Sequence, residues 1–105
     1  MRALLREVTR AGIRLIVPAG VVAQVFRDRA RQVPLGALLN GDRTAVPALD
    51  RTLAEAVGAL CARVGTSDVV DASVVLVAKR ERAAIITSDV DDLRALDPSA
   101  KLERI

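Results

Sequence analysis

The 105-residue chain has no histidine, tryptophan or tyrosine, one phenylalanine and one cysteine. Without histidine, acid–base chemistry and metal ligation by imidazole are excluded. Without aromatic platforms, a binder that stacks single-stranded bases on rings is disfavoured, and base contacts would fall to Arg planes or hydrogen bonds. A lone Cys61 cannot close an internal disulfide. It lies in helical register with Leu53, Val57, Leu60 and Val64 and reads as core packing. The longest apolar run, Leu15 to Ala23, is well short of the roughly 20 residues that cross a bilayer. The opening Met-Arg-Ala-Leu-Leu-Arg-Glu carries charges where a signal peptide needs an apolar stretch. Together these absences fit a cytoplasmic protein.

What is present suffices for one domain over residues 1–105. Hydrophobic residues make up 51% of the chain and charged residues 28%, a composition that can build a core and is not that of a disordered chain. The 16 Lys and Arg exceed the 13 acids by three, a balance compatible with a polyanionic partner. No low-complexity tract, linker or internal repeat is evident.

The organising stretch is Gly65-Thr-Ser-Asp68-Val-Val-Asp71-Ala-Ser-Val-Val-Leu-Val-Ala-Lys79-Arg-Glu-Arg82. From Val69 to Ala78 only Asp71 and Ser73 are polar, as in a helix buried on most sides. Gly65, Thr66, Ser67 and Asp68 mark its start, and Lys79, Arg80 and Arg82 suit its negative end. Asp68 and Asp71, three apart, share a face of the first turn. As N-cap and N3 acid they serve the helix. An acid inside an apolar run also suggests chemistry, because an unpaired buried charge is costly. One residue can do both.

The rest of the chain alternates helices with short strands. Residues 1–11 read as a helix with Leu4, Leu5 and Val8 on one face, capped by Gly12. Arg14 to Val17 is a short strand stopped by Pro18, which opens a helix with the stripe Val21, Val22, Val25 and Phe26. A short helix over Leu35 to Leu39 ends at Asn40-Gly41, and Thr44 to Val46 is a weak strand. Asp50 caps a long helix that ends near Val64-Gly65. After the central helix come a strand over Ala83 to Thr87, a short helix ending near Leu96, and an edge strand over Lys101 to Ile105. This order predicts an α/β fold with a mainly parallel sheet.

In such folds, sites form where strands end and the neighbouring helices begin. Asp89 follows the Ile85-Ile86 strand, with Asp91 and Asp92 close behind, and Asp68 and Asp71 open the preceding helix. The spacing therefore predicts that Asp68, Asp71, Asp89 and Asp92 converge. Clustered carboxylates repel, and a hard divalent cation removes that conflict; an all-oxygen set suits Mg²⁺ or Mn²⁺. The bland alternative leaves Asp89 and Asp92 as helix caps and Arg27 and Arg31, one turn apart, as a solvated face.

Three segments, Val17-Pro-Ala…Ala23-Gln-Val-Phe-Arg27, Asp68-Val-Val-Asp-Ala72 and Thr87-Ser-Asp-Val-Asp-Asp-Leu93, occur in the order found in the PIN-domain ribonucleases. The chain resembles that family over most of its length, and most of all the toxins of bacterial type II toxin–antitoxin modules. The resemblance implies a three-layer PIN-like sandwich and an acidic Mg²⁺ or Mn²⁺ pocket that hydrolyses RNA. It also implies a homodimer and a cognate antitoxin protein. By position it matches Asp71 and Asp89 to the family's metal acids, Asp92 to a frequent further acid and Thr87 to a supporting hydroxyl; Asp68 is an extra acid one turn earlier, expected to assist the metal with Asp92 through water, and Gln24 is expected to help Thr87 orient ligands. Arg27, Arg29, Arg31 and Arg43 are candidates for RNA phosphates. Two departures stand out. The family opens with a strand carrying an Asp, absent here, so Met1 reads as an internal start or the chain as a truncated form. Gln24 stands where the family has Glu. These departures define an alternative, an incomplete PIN remnant that binds an antitoxin or partner subunit without cleaving RNA. A phosphoacceptor signalling domain fits less well, because the Asp pair opens a helix instead of ending a central strand.

Overall fold

The computed structural model describes residues 10–27 and 39–104. It divides between Ala48 and Leu49 into two compact units. The first contains β1 (Leu15–Ile16), α1 (Ala19–Arg27) and β2 (Thr44–Ala45). The second contains α2 (Arg51–Val64), α3 (Val69–Glu81), β3 (Ile85–Thr87), α4 (Val90–Leu96) and β4 (Leu102–Arg104). The fold is mixed α/β, and both strand pairings are parallel.

In the first unit, Leu15 pairs with Thr44 and Ile16 with Ala45, joined by Leu15 N–H to Arg43 O and Val17 N–H to Ala45 O, each 2.9 Å. Gly12 takes the left-handed conformation (φ 70°) that lets it end the helical residues Arg10 and Ala11, as expected of a C-cap. Pro18 lies one position ahead of α1, and its carbonyl accepts from Val21 and Val22. Of the predicted stripe, Val25 is buried, Val21 and Val22 are half-buried, and Phe26 is 54% exposed. The expected first helix falls mostly on residues 1–9, and the expected helix near Leu35 mostly on 28–38; both lie outside the described residues.

In the second unit, each helix has an identifiable start and stop. The Asp50 carboxylate accepts from Leu53 N–H at 2.8 Å, and Gly65, at φ 84°, donates its N–H to Cys61 O. The core joins Val57, Leu60 and Cys61 of α2 to Ala72 and Val75 of α3, Ile85 of β3, and Leu93 and Leu96 of α4. Cys61 is buried there as predicted, whereas Val64, assigned to the same stripe, is 38% exposed. Burial on several faces of α3 agrees with its apolar sequence, and buried Ser73 donates its hydroxyl to Val70 O at 2.6 Å. The α4 helix ends at Asp97, whose carboxylate accepts from the hydroxyl and amide of Ser99; those bonds hold its pKa below the usual range.

The sequence predicted one mainly parallel sheet. Among the described residues the strands instead form two separate two-stranded pairs, β1–β2 and β3–β4. The β3–α4–β4 segment is a compact parallel crossover, with Ile85 opposite Leu102 and Thr87 opposite Arg104. No helix among the described residues is long and apolar enough to cross a membrane.

The C-cap of α3 is unusual: Arg82 adopts the left-handed conformation (φ 54°), with its N–H directed at Ala78 O and Lys79 O. A side chain there is costly, and glycine relieves the cost at the expense of a more flexible unfolded chain. We therefore expect Arg82→Gly to raise stability by about 0.5 kcal/mol and Arg82→Val to lower it by about 1 kcal/mol. Thermal melts of the pair check this, and two unchanged melts would rule out a left-handed Arg82.

Candidate functional site

The site is built at the starts of α3 and α4, each preceded by the same hexapeptide pattern. Thr66-Ser-Asp68-Val-Val-Asp71 and Thr87-Ser-Asp89-Val-Asp-Asp92 share Thr-Ser-Asp-Val-x-Asp, an echo that a search for domain-scale repeats misses. In both, the threonine hydroxyl accepts the amide N–H of the first aspartate, Asp68 from Thr66 at 3.1 Å and Asp89 from Thr87 at 2.9 Å. Each threonine thus fixes the turn that delivers its aspartate to a helix start.

The two copies then diverge. Asp68 is spent on the helix: its carboxylate accepts Asp71 N–H at 3.0 Å. Asp89 occupies the same N-cap position on α4 but makes no side-chain capping bond. Capping therefore accounts for Asp68 and does not account for the Asp89 carboxylate, which is exposed where β3 ends.

Burial, the charge of Asp68 with a hydrogen bond to it, and the charges of Asp89 and Asp92 push the Asp71 carboxyl from 3.8 up to about 6. The charges of Asp68, Asp89 and Asp92 all act on Asp71. Asp71 is half-buried, while Asp68, Asp89 and Asp92 are exposed. Among the described residues, however, no three acidic or cysteine side chains are grouped closely enough to hold one ion between them. The two observations differ in range. Repulsion between carboxylates extends several ångströms beyond a metal–oxygen bond of about 2.1 Å.

The donor set fits a hard cation that keeps most of its water. Mg²⁺ commonly binds through one or two carboxylates and retains several waters, so two acids such as Asp71 and Asp89 could supply its direct contacts. Asp68 and Asp92 add negative charge around Asp71.

The other predicted site residues that are described belong to the first unit. Gln24 is exposed on α1, and Arg27 is exposed in the last turn of that helix. Arg29 and Arg31 lie outside the described residues. Arg43 donates to Gly12 O at 2.8 Å. Sequence reasoning missed Arg104, whose guanidinium reaches Ser88 O at 3.4 Å and braces the loop carrying Asp89. The signal for it was the parallel register that sets Arg104 opposite Thr87.

Comparison with known proteins finds no matching family model, no matching curated protein and no matching solved structure.

Proposed function

We propose that the chain is a PIN-like, Mg²⁺- or Mn²⁺-dependent endoribonuclease domain of the kind found in toxin–antitoxin toxins. The observation that carries this reading is the pair of Thr-Ser-Asp turns that set a half-buried Asp71 in the first turn of α3 and an Asp89 with no capping bond at the start of α4, with the Asp71 carboxyl raised by burial and by Asp68, Asp89 and Asp92. A fold gains no stability from bringing four acids together; a divalent cation gives the arrangement a purpose. Such a cation supplies an activated water and charge stabilisation at a phosphoryl group. Asp71 and Asp89 would hold it, Asp68 and Asp92 would act through water, and Thr87 keeps Asp89 in place. Gln24 would orient a ligand through its amide, and Arg27, Arg29, Arg31 and Arg43 would meet RNA phosphates. On this reading the three-layer PIN sandwich, a homodimer, a cognate antitoxin and a cytoplasmic setting follow from the family resemblance.

The remnant reading has its own support. Gln24 brings no charge, and no three acids are grouped to ligate an ion among the described residues. Calorimetric titration of Mn²⁺ into the folded 105-residue chain, followed by cleavage assays on structured RNA, separates the two. Saturable binding with cleavage supports the nuclease. A cooperatively folded sample that binds no Mn²⁺ excludes it and leaves a binding module.

A further inference from the structure

A second charged site lies in the first unit, at the opposite end of its strands from their carboxyl termini. Parallel pairing of Leu15 with Thr44 sets the preceding residues, Arg14 and Arg43, side by side at the start of β1 and β2. Neighbouring strands lie about 4.8 Å apart, so the register sets the backbones of these two arginines next to each other. They line an open groove of about 370 Å³ with Asp42, Thr44 and Ala45. Two cations lining one groove repel, and an anion between them removes that conflict. Asp42 does not fill that role: among the described residues it makes no ion pair with either arginine.

Arg43 is also held in place. One Nη donates to Gly12 O at 2.8 Å, and the guanidinium packs over Gly12, where an added Cβ would meet its Cζ at 3.5 Å. Its remaining N–H groups are thus oriented in advance, which lowers the entropy lost on binding an oxyanion. Arg14 is exposed and makes no side-chain bond among the described residues, so it is free to close on the same anion.

We propose that this groove binds a phosphate group, specifically a backbone phosphate of a single RNA strand, between Arg14 and Arg43. Paired arginines suit this ligand because each planar fork matches two phosphate oxygens. As an RNA subsite it rests on the nuclease reading; as a phosphate site it does not.

The test uses the whole chain in EDTA, so that no divalent ion contributes. Inorganic phosphate is titrated while amide and guanidinium NMR signals are followed, and a single-stranded RNA oligonucleotide is titrated across a salt series. We expect saturable phosphate shifts at Arg14, Arg43 and Thr44. Arg14→Gln should weaken RNA binding about tenfold and reduce the salt slope by about 1, whereas Asp42→Asn should tighten binding. Absence of saturable shifts at these residues overturns the site. Phosphate binding with RNA affinity indifferent to both substitutions overturns the RNA assignment and leaves a site for free phosphate or a small phosphorylated ligand. Loss of Mn²⁺ binding or cleavage elsewhere in the chain changes neither titration, so failure of the nuclease reading is distinguishable from failure here.

Discussion

Asp71→Asn is expected to abolish Mn²⁺ binding, to reduce any RNA cleavage by about a hundredfold or more, and to make the metal-free fold more stable at neutral pH. The last effect follows from the sign of the shift. The folded chain holds the Asp71 proton up to about 6, whereas an ordinary carboxyl releases it near 3.8. The resulting stability is complete below 3.8 and is lost as the pH rises through about 6. Asp71 therefore opposes folding at pH 7, contrary to the usual behaviour of a paired carboxylate. A shift of this size corresponds to about 3 kcal/mol before screening, and partial exposure reduces it to about 1 kcal/mol. An amide cannot ionise, so the variant should lose this step in its melting profile between pH 4 and pH 7. Asp97, whose pKa is lowered, contributes with the opposite sign, and the difference between wild type and variant isolates Asp71.

Metal affinity should carry the same signature. A cation must displace the Asp71 proton, so affinity below pH 6 should fall about tenfold per unit and level off above it. Calorimetry at pH 5, 6 and 7 reads this directly. Equal Mn²⁺ affinity in wild type and Asp71→Asn, or melting profiles of identical pH dependence, would exclude Asp71 as the ligand.

Much of the second unit was legible because its signals are local. Asp50, Gly65 and Asp68 act within a turn of their own positions, and each caps the helix its neighbours predict. Asp71 was legible for a different reason: a charge inside an apolar run must be neutralised, paired or used. The features that were not legible depend on geometry between distant segments. The two Thr-Ser-Asp turns are identical in sequence, yet only Asp68 caps with its side chain, and their backbone angles differ (ψ 86° at Asp68, 57° at Asp89). Arg82 carries no glycine-like signal for the left-handed conformation it adopts. The pairing of Arg14 with Arg43 arises from strand register across 29 residues of separation, which periodicity within either segment does not encode. Val64 kept the spacing of the buried stripe but lies in the last turn of α2, where burial runs out.

Leu60→Ala should produce the largest loss of stability and leave the chemistry of the acids intact. Leu60 is 4% exposed and belongs to the core with Val57 and Cys61 of its own helix, Ala72 and Val75 of α3, and Leu93 and Leu96 of α4. Truncation removes three carbons from a site whose neighbours belong to separate helices and cannot all move in to refill it. Such changes cost about 2–5 kcal/mol, and about 3 kcal/mol is expected here. Against a total of about 5–15 kcal/mol, and with few other large side chains to share the load, that should lower the melting temperature by more than about 10 °C. Leu49→Ala, at a residue 45% exposed, is the control and should change stability by no more than about 0.5 kcal/mol. A Leu60→Ala melt within about 0.5 kcal/mol of wild type would show that α2 does not pack on α3 as described. The useful contrast is with Asp71→Asn. Below its melting temperature, Leu60→Ala should bind Mn²⁺ with wild-type affinity, because caps and turns local to α3 and α4 set the acids. One substitution should remove stability without binding, and the other binding without stability. If both properties fell together in Leu60→Ala at a temperature where it is fully folded, the acidic site would depend on the α2–α3 core and not on the two Thr-Ser-Asp turns.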